Sequence, residues 1–164
     1  MNLSKNFSKA ELCKSQTAIR MGLNNNPTDD QTENLRLLCE RVLQPVRDHF
    51  NQVVSISSGF RDPILSQKIG SSINSQHCKG EAADLEIFGV ANNELADWIK
   101  ENLMFDQLIL EYYTPGEPNS GWVHVSYTKE INANRKEYLM AIKGESGKTE
   151  YKQILGLSTD RYVK

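Results

Sequence analysis

The apolar residues of this chain change period once, near residue 53, and that change limits the available folds. Up to residue 50 they recur at helical spacing. Thr28 stands three residues before Gln31, a capping box, and Leu35, Leu38, Cys39, Val42, Val46 and Phe50 follow at intervals of three and four. Pro45 lies inside that pattern and predicts a bend near Arg41. An earlier helix starts at a second Ser8-Lys9-Ala10-Glu11 capping box, carries Leu12 and Ile19 inward, and stops at Gly22. From Val53 the pattern alternates. Residues 53–57 read as a strand, closed by Ser58-Gly59-Phe60-Arg61-Asp62-Pro63. Residues 64–69 suggest a short helix ended by Gly70, residues 71–80 a loop, and residues 82–87 a strand. Asn92 is the expected N-cap of a helix through Leu103 that turns Leu95, Ala96, Ile99 and Leu103 inward. Residues 105–113 and 122–127 read as strands around the turn-rich stretch 114–121, and residues 138–142 as a last strand. Helices followed by strands mixed with helices give the α+β class with an antiparallel sheet. The expected organisation is one domain over residues 1–143 and a polar, loosely held tail over 144–164.

Composition excludes several classes. At 164 residues and 38% apolar content, the chain buries one core and is not disordered. Nineteen Lys and Arg against 21 Asp and Glu, a net charge of -2, give no electrostatic case for nucleic acid or anionic membranes. No apolar run suits a membrane span, and the first sixteen residues lack the apolar segment of a secretory signal. Synthesis in a cytoplasm and a monomeric state are the expectations. Cys13, Cys39 and Cys78 are odd in number and widely spaced, so they read as reduced thiols.

The chemistry concentrates in Ser75-Gln76-His77-Cys78-Lys79-Gly80-Glu81-Ala82-Ala83-Asp84. His77 ends a loop, Gly80 lets the chain turn, and Asp84 lies in a strand. An imidazole and a carboxylate carried this way can converge on one point. A third ligand is expected from His124, which alternates with Val123 and Val125 and so faces away from the core if the valines face it. Three ligands leave a fourth position open, as a catalytic zinc requires for its water. Such a site also needs a carboxylate base that does not bind the metal. Glu111, in Gln107-Leu108-Ile109-Leu110-Glu111, is the candidate. If its strand and the His124 strand form a hairpin pairing Thr114 with Gly121, Glu111 lies directly opposite His124. A slip of one residue would turn it to the other face.

Ser75-x-His77-x-x-Gly80-x-Ala82-x-Asp84 followed by Trp122-x-His124 resembles the zinc D-Ala-D-Ala carboxypeptidases. That family also holds phage L-alanyl-D-glutamate endolysins, the vancomycin-resistance D,D-dipeptidases and the Hedgehog signalling domain. The resemblance runs from about Phe7 to Lys143 and includes Ser57-Ser58-Gly59-Phe60-Arg61-Asp62-Pro63. It implies helices on one face of a central antiparallel sheet, zinc held by His77, Asp84 and His124, and peptidoglycan stem peptides as substrate. It implies substrate anchoring by Arg61, whose planar guanidinium suits a carboxylate. Either a terminal D-alanine or an internal bond such as L-Ala-D-Glu would be cut, after phage-type release or as a virion component. Ser75 and Trp122 join Arg61 as candidate substrate contacts. Many members carry the catalytic acid three positions before the last histidine, where this chain has Gly121. The base then falls to Glu111, with Glu117 on the loop as rival, because a strand positions a carboxylate more tightly. A zinc-stabilised binding or virion component without turnover is the alternative within the same fold.

Simpler roles suit other residues. His49 reads as a cap or surface residue near a helix end, and Cys78 as a neighbour of the site without a ligand role. Arg61 could instead brace its turn through Asp62.

Overall fold

A computed structural model describes residues 1–158. A small hairpin, β1 (Asn2–Ser4) and β2 (Phe7–Ser8), opens the chain. Two short helices follow, α1 (Lys9–Leu12) and α2 (Gln16–Met21), where the sequence suggested one. The Ser8 side chain caps α1 by accepting from the Glu11 amide. Glu11 does not complete the box. Its Oε1 is buried and unpartnered among the described residues, and burial raises its pKa. The break after Leu12 also releases Ile19 from its expected inward place, and it is 70% exposed.

The long helical pattern forms one arc: α3 (Asp29–Leu38), a π-helical turn over Cys39–Leu43, and α4 (Gln44–Phe50). Both bonds of the Thr28–Gln31 capping box are present. The π turn sits just ahead of Pro45, and the Gln44 amide reaches back to the Cys39 carbonyl. Proline has no N–H for the carbonyl of Arg41 and its ring crowds that turn, so a wider turn absorbs the misfit. Leu35, Leu38, Cys39, Val42 and Val46 are buried as their spacing requires.

The remaining elements are β3 (Val54–Ser58), α5 (Pro63–Lys68), a 3-10 turn over Gln76–Lys79, β4 (Ala82–Ile87), α6 (Asn92–Asn102), β5 (Gln107–Glu111), β6 (Trp122–Ser126), β7 (Glu137–Lys143) and β8 (Thr149–Gln153). The main sheet has the order β3-β4-β6-β5-β7-β8. Its pairings are antiparallel except one: β7 runs parallel to β5. The sheet is therefore mixed, because the chain between β6 and β7 crosses back over the strand ends. Ala83, Leu85, Ile87, Leu108, Leu110, Val123, Val125 and Tyr138 face one way and share a core with the α3–α4 arc and α6. The opposite face carries Asp84, Ile109, Glu111, Trp122 and His124.

Two expectations are corrected here. Asn92 is the first residue of α6 and Ala91 its cap. The Asn92 side chain is buried instead, donating to the carbonyls of Ser120 and Gly121 and to Glu86, so it ties down the loop between β5 and β6. Nor is the polar tail loose as far as residue 158. Residues 149–153 pair with β7, Ile154 is buried, and the Ser158 amide donates to Asp97. Residues 159–164 of the expected tail lie outside the described residues. Among the described residues, no helix is long and apolar enough to cross a membrane.

Candidate metal centre and cleft

Strand register builds the site. Asp84 on β4 is the direct cross-strand partner of His124 on β6. Directly opposed side chains have Cβ atoms roughly 4.5–5.5 Å apart, so the pair meets by construction. His77 arrives from the 3-10 turn just before β4. That turn is held from three sides: Ser75 Oγ accepts from the His77 amide, Gln31 donates to the Cys78 carbonyl, and Asn34 donates to the Lys79 carbonyl. Gly80 ends it with φ +74, and any Cβ there would strike the Gln31 carbonyl. No other residue type lets the histidine loop approach α3 this closely.

One donor atom each from His77, Asp84 and His124 lie within 4.8 Å of one another. Asp84 Oδ1 is 3.0 Å from His124 Nδ1 and 3.4 Å from His77 Nε2. His77 Nδ1 donates to the Gly59 carbonyl at 2.8 Å. A carbonyl only accepts, so Nδ1 carries a proton, and Nε2 is the ring atom that faces the Asp84 carboxylate. Two imidazole nitrogens and a carboxylate oxygen are a donor set that zinc takes, and a histidine oriented by a backbone carbonyl is a common supporting contact at such sites. The residues fit a zinc ion. Burial opposes ionisation of Asp84, but the hydrogen bonds and charges of His124 and His77 outweigh it and hold the carboxyl well below the usual range.

The three residues sit in a cleft of about 470 Å³ whose lining includes Arg61, Ser75, Glu111 and Trp122, so all the candidate site residues meet there. A second hollow of about 500 Å³ adjoins it, and Arg61 and Asp84 line both. Arg61 donates from Nη1 to Ser71 Oγ, while its buried Nε has no partner among the described residues. It does not brace Asp62, whose carboxylate instead caps α5 by accepting from the Ile64 amide. Ser75 both caps the 3-10 turn and faces the cleft.

The hairpin register differs from expectation by two residues. Glu111 pairs with Trp122, and Ile109 pairs with His124. A shift of two preserves the face, so Glu111 still points into the cleft, diagonal to His124 at a Cα distance of about 7–8 Å. Burial raises its pKa, His124 opposes the rise, and the Asp84 charge adds to it. Glu117 is exposed on the loop and is not among the residues that line the cleft. Gly121 cannot be replaced by an acid. Its φ is +65, and a Cβ there would run into the Glu111 carbonyl.

His49 stacks on Trp98, with ring centroids 4.3 Å apart, far from this chemistry in kind. Cys78 is buried and its Sγ is directed at the Ser72 carbonyl. Sequence reasoning missed Ser71, Gln76, Gln107, Ile109 and Tyr151 in the cleft lining. Gln76 donates to Asp106, which also accepts two side-chain bonds from Arg135. Alternation could have marked Gln107 and Ile109, which share the face of Glu111. Nothing local marks Tyr151.

A His–Asp–His donor set that shares a cleft with a carboxylate of raised pKa is an arrangement that metal-assisted hydrolysis can use. The sequence model of the Peptidase M15 family matches residues 5–126, most of the chain, and the protein belongs to that family of peptidases. The family is in general zinc-dependent. No curated protein matches the chain significantly.

Proposed function

We propose that this protein is a zinc-dependent peptidase that hydrolyses peptidoglycan stem peptides. The observation that carries the reading is the approach of one donor atom each from His77, Asp84 and His124 to within 4.8 Å of one another, in a cleft that also holds Glu111 and Arg61. Zinc bound by these three residues would supply Lewis-acid polarisation of the scissile carbonyl and a water acidic enough to react near neutral pH. Glu111 accepts the proton of the attacking water and returns it to the departing amine. Its raised pKa suits that double duty, because a base too weak to hold the proton could not deliver it. Arg61 lines the cleft and offers its guanidinium to a carboxylate or carbonyl of the peptide. Ser75 and Trp122 border the bound chain.

The test is digestion of purified peptidoglycan by zinc-loaded protein, chelated protein and the Glu111→Gln variant, with products identified by mass. Soluble peptides or free D-alanine are expected from the loaded wild type alone. The variant is expected to retain stoichiometric zinc and lose about 10²–10⁴-fold in turnover. Equal release from all three samples rejects the reading.

A further inference from the structure

The family match ends at residue 126, yet the cleft does not. Tyr151, on β8, lines it beside Glu111. Register accounts for this. Trp122 pairs with Glu111, Glu111 with Ala141, and Ala141 with Tyr151. Four strands thus set these residues in one row on the cleft face, with Trp122 at one end and Tyr151 at the other. At about 4.8 Å between strands, the Tyr151 backbone lies roughly 10 Å from that of Glu111. A phenol spans much of that distance. Ala141, between them, is small and fully buried, so no side chain stands in the way. Burial raises the Tyr151 pKa, and the charge of Glu111 adds to the rise.

Tyr151 is 58% exposed, and among the described residues no hydrogen bond engages its hydroxyl. The strand beneath it is well held. The Tyr112 hydroxyl bonds Thr149 Oγ1, and the Ile154 amide donates to the Tyr138 carbonyl. An anchored strand therefore presents a free phenolic donor to the cleft.

We propose that Tyr151 is a substrate-contacting residue. Its ring forms the cleft wall opposite Trp122, and its hydroxyl donates a hydrogen bond to a backbone carbonyl of the bound peptide. The inference rests on the peptidase reading above. It also makes the segment beyond the family match part of the binding site.

The experiment compares full-length zinc-loaded wild type, Tyr151→Phe and Tyr151→Ala on a synthetic stem pentapeptide. Steady-state kinetics are paired with calorimetric binding of the same peptide. Removing one neutral hydrogen bond predicts a rise in KM and Kd of roughly 2–10-fold for Tyr151→Phe, with kcat within about twofold. Tyr151→Ala, which also removes the ring, is expected to rise further. Tyr151→Phe keeps the ring, and an unchanged near-UV spectrum shows its fold intact. KM and Kd within twofold of wild type in both variants overturn the inference, as does a loss confined to kcat. A wild type that binds the peptide without cutting it rejects hydrolysis alone, and the Kd comparison still decides Tyr151. A wild type that neither binds nor cuts rejects both.

Discussion

The surroundings of Glu111 set how readily it ionises. In water a glutamate is ionised above about pH 4.3. On β5, burial resists the charge, the His124 ring relieves part of that resistance, and the Asp84 charge restores it. The group must be ionised to accept a proton. Activity is therefore expected to fall on the acid side at a pH above the free-glutamate value, read as the acid limb of kcat/KM against pH. A limb at or below pH 4.3 would assign the base elsewhere. Gly80 works through geometry. Its positive φ and its closeness to the Gln31 carbonyl leave no room for a side chain. Gly80→Ala is expected to destabilise the fold by more than about 1 kcal/mol and to weaken metal affinity, since the strained turn carries His77. Urea unfolding and metal titration measure the two effects. The meeting of His77, Asp84 and Arg61 in one cleft was foreseeable at this scale because the motifs pack them into short stretches of chain. Tyr151 was not, because no local pattern reports that β8 is set one strand away from Glu111.

Elements decide how the carboxylate and the imidazoles meet. The β5–β6 register expected from the turn was two residues out, because the loop over residues 114–121 does not form a simple hairpin end. Tyr112 and Gly121 both adopt positive φ there, and Thr114 bridges to Glu117 inside the loop. Alternation survived the error, since a two-residue shift returns every side chain to its own face. Asn92 holds this loop from α6, where its buried amide donates to two loop carbonyls. Asn92→Ala removes its bonds to Ser120, Gly121 and Glu86 from a buried position and is expected to cost about 1–3 kcal/mol. It should also loosen the start of β6, seen as faster amide exchange at Trp122 and Val123. Exchange unchanged at those positions would remove Asn92 as the anchor. The π turn before Pro45 shows the same division. The sequence located the disturbance near Arg41, and packing settled that the helix widens there to stay in the core.

At the scale of the whole molecule, the candidate metal centre joins segments that are distant in the chain. β4, β6 and the 3-10 turn would each contribute one ligand, so an ion that binds all three binds only the folded state. A ligand at 100 times its Kd stabilises by about 2.7 kcal/mol, which for a chain this long raises Tm by roughly 5–10 °C. Zinc is expected to produce a shift of that order and a chelator to reverse it; a Tm indifferent to both would mean that no ion is held. Local residue order by itself determined the helical arc, most of the strands, the face of His124 and the histidine–aspartate motif, because periodicity and capping act over a few residues. Only the tertiary structure decided that β4 lies beside β6 with Asp84 against His124, that β7 runs parallel to β5, and that the polar C-terminal stretch closes the sheet and brings Tyr151 to the cleft. Those outcomes rest on pairings between strands far apart in the chain, and such pairings are chosen by how the buried faces fit together rather than by any residue's neighbours in sequence.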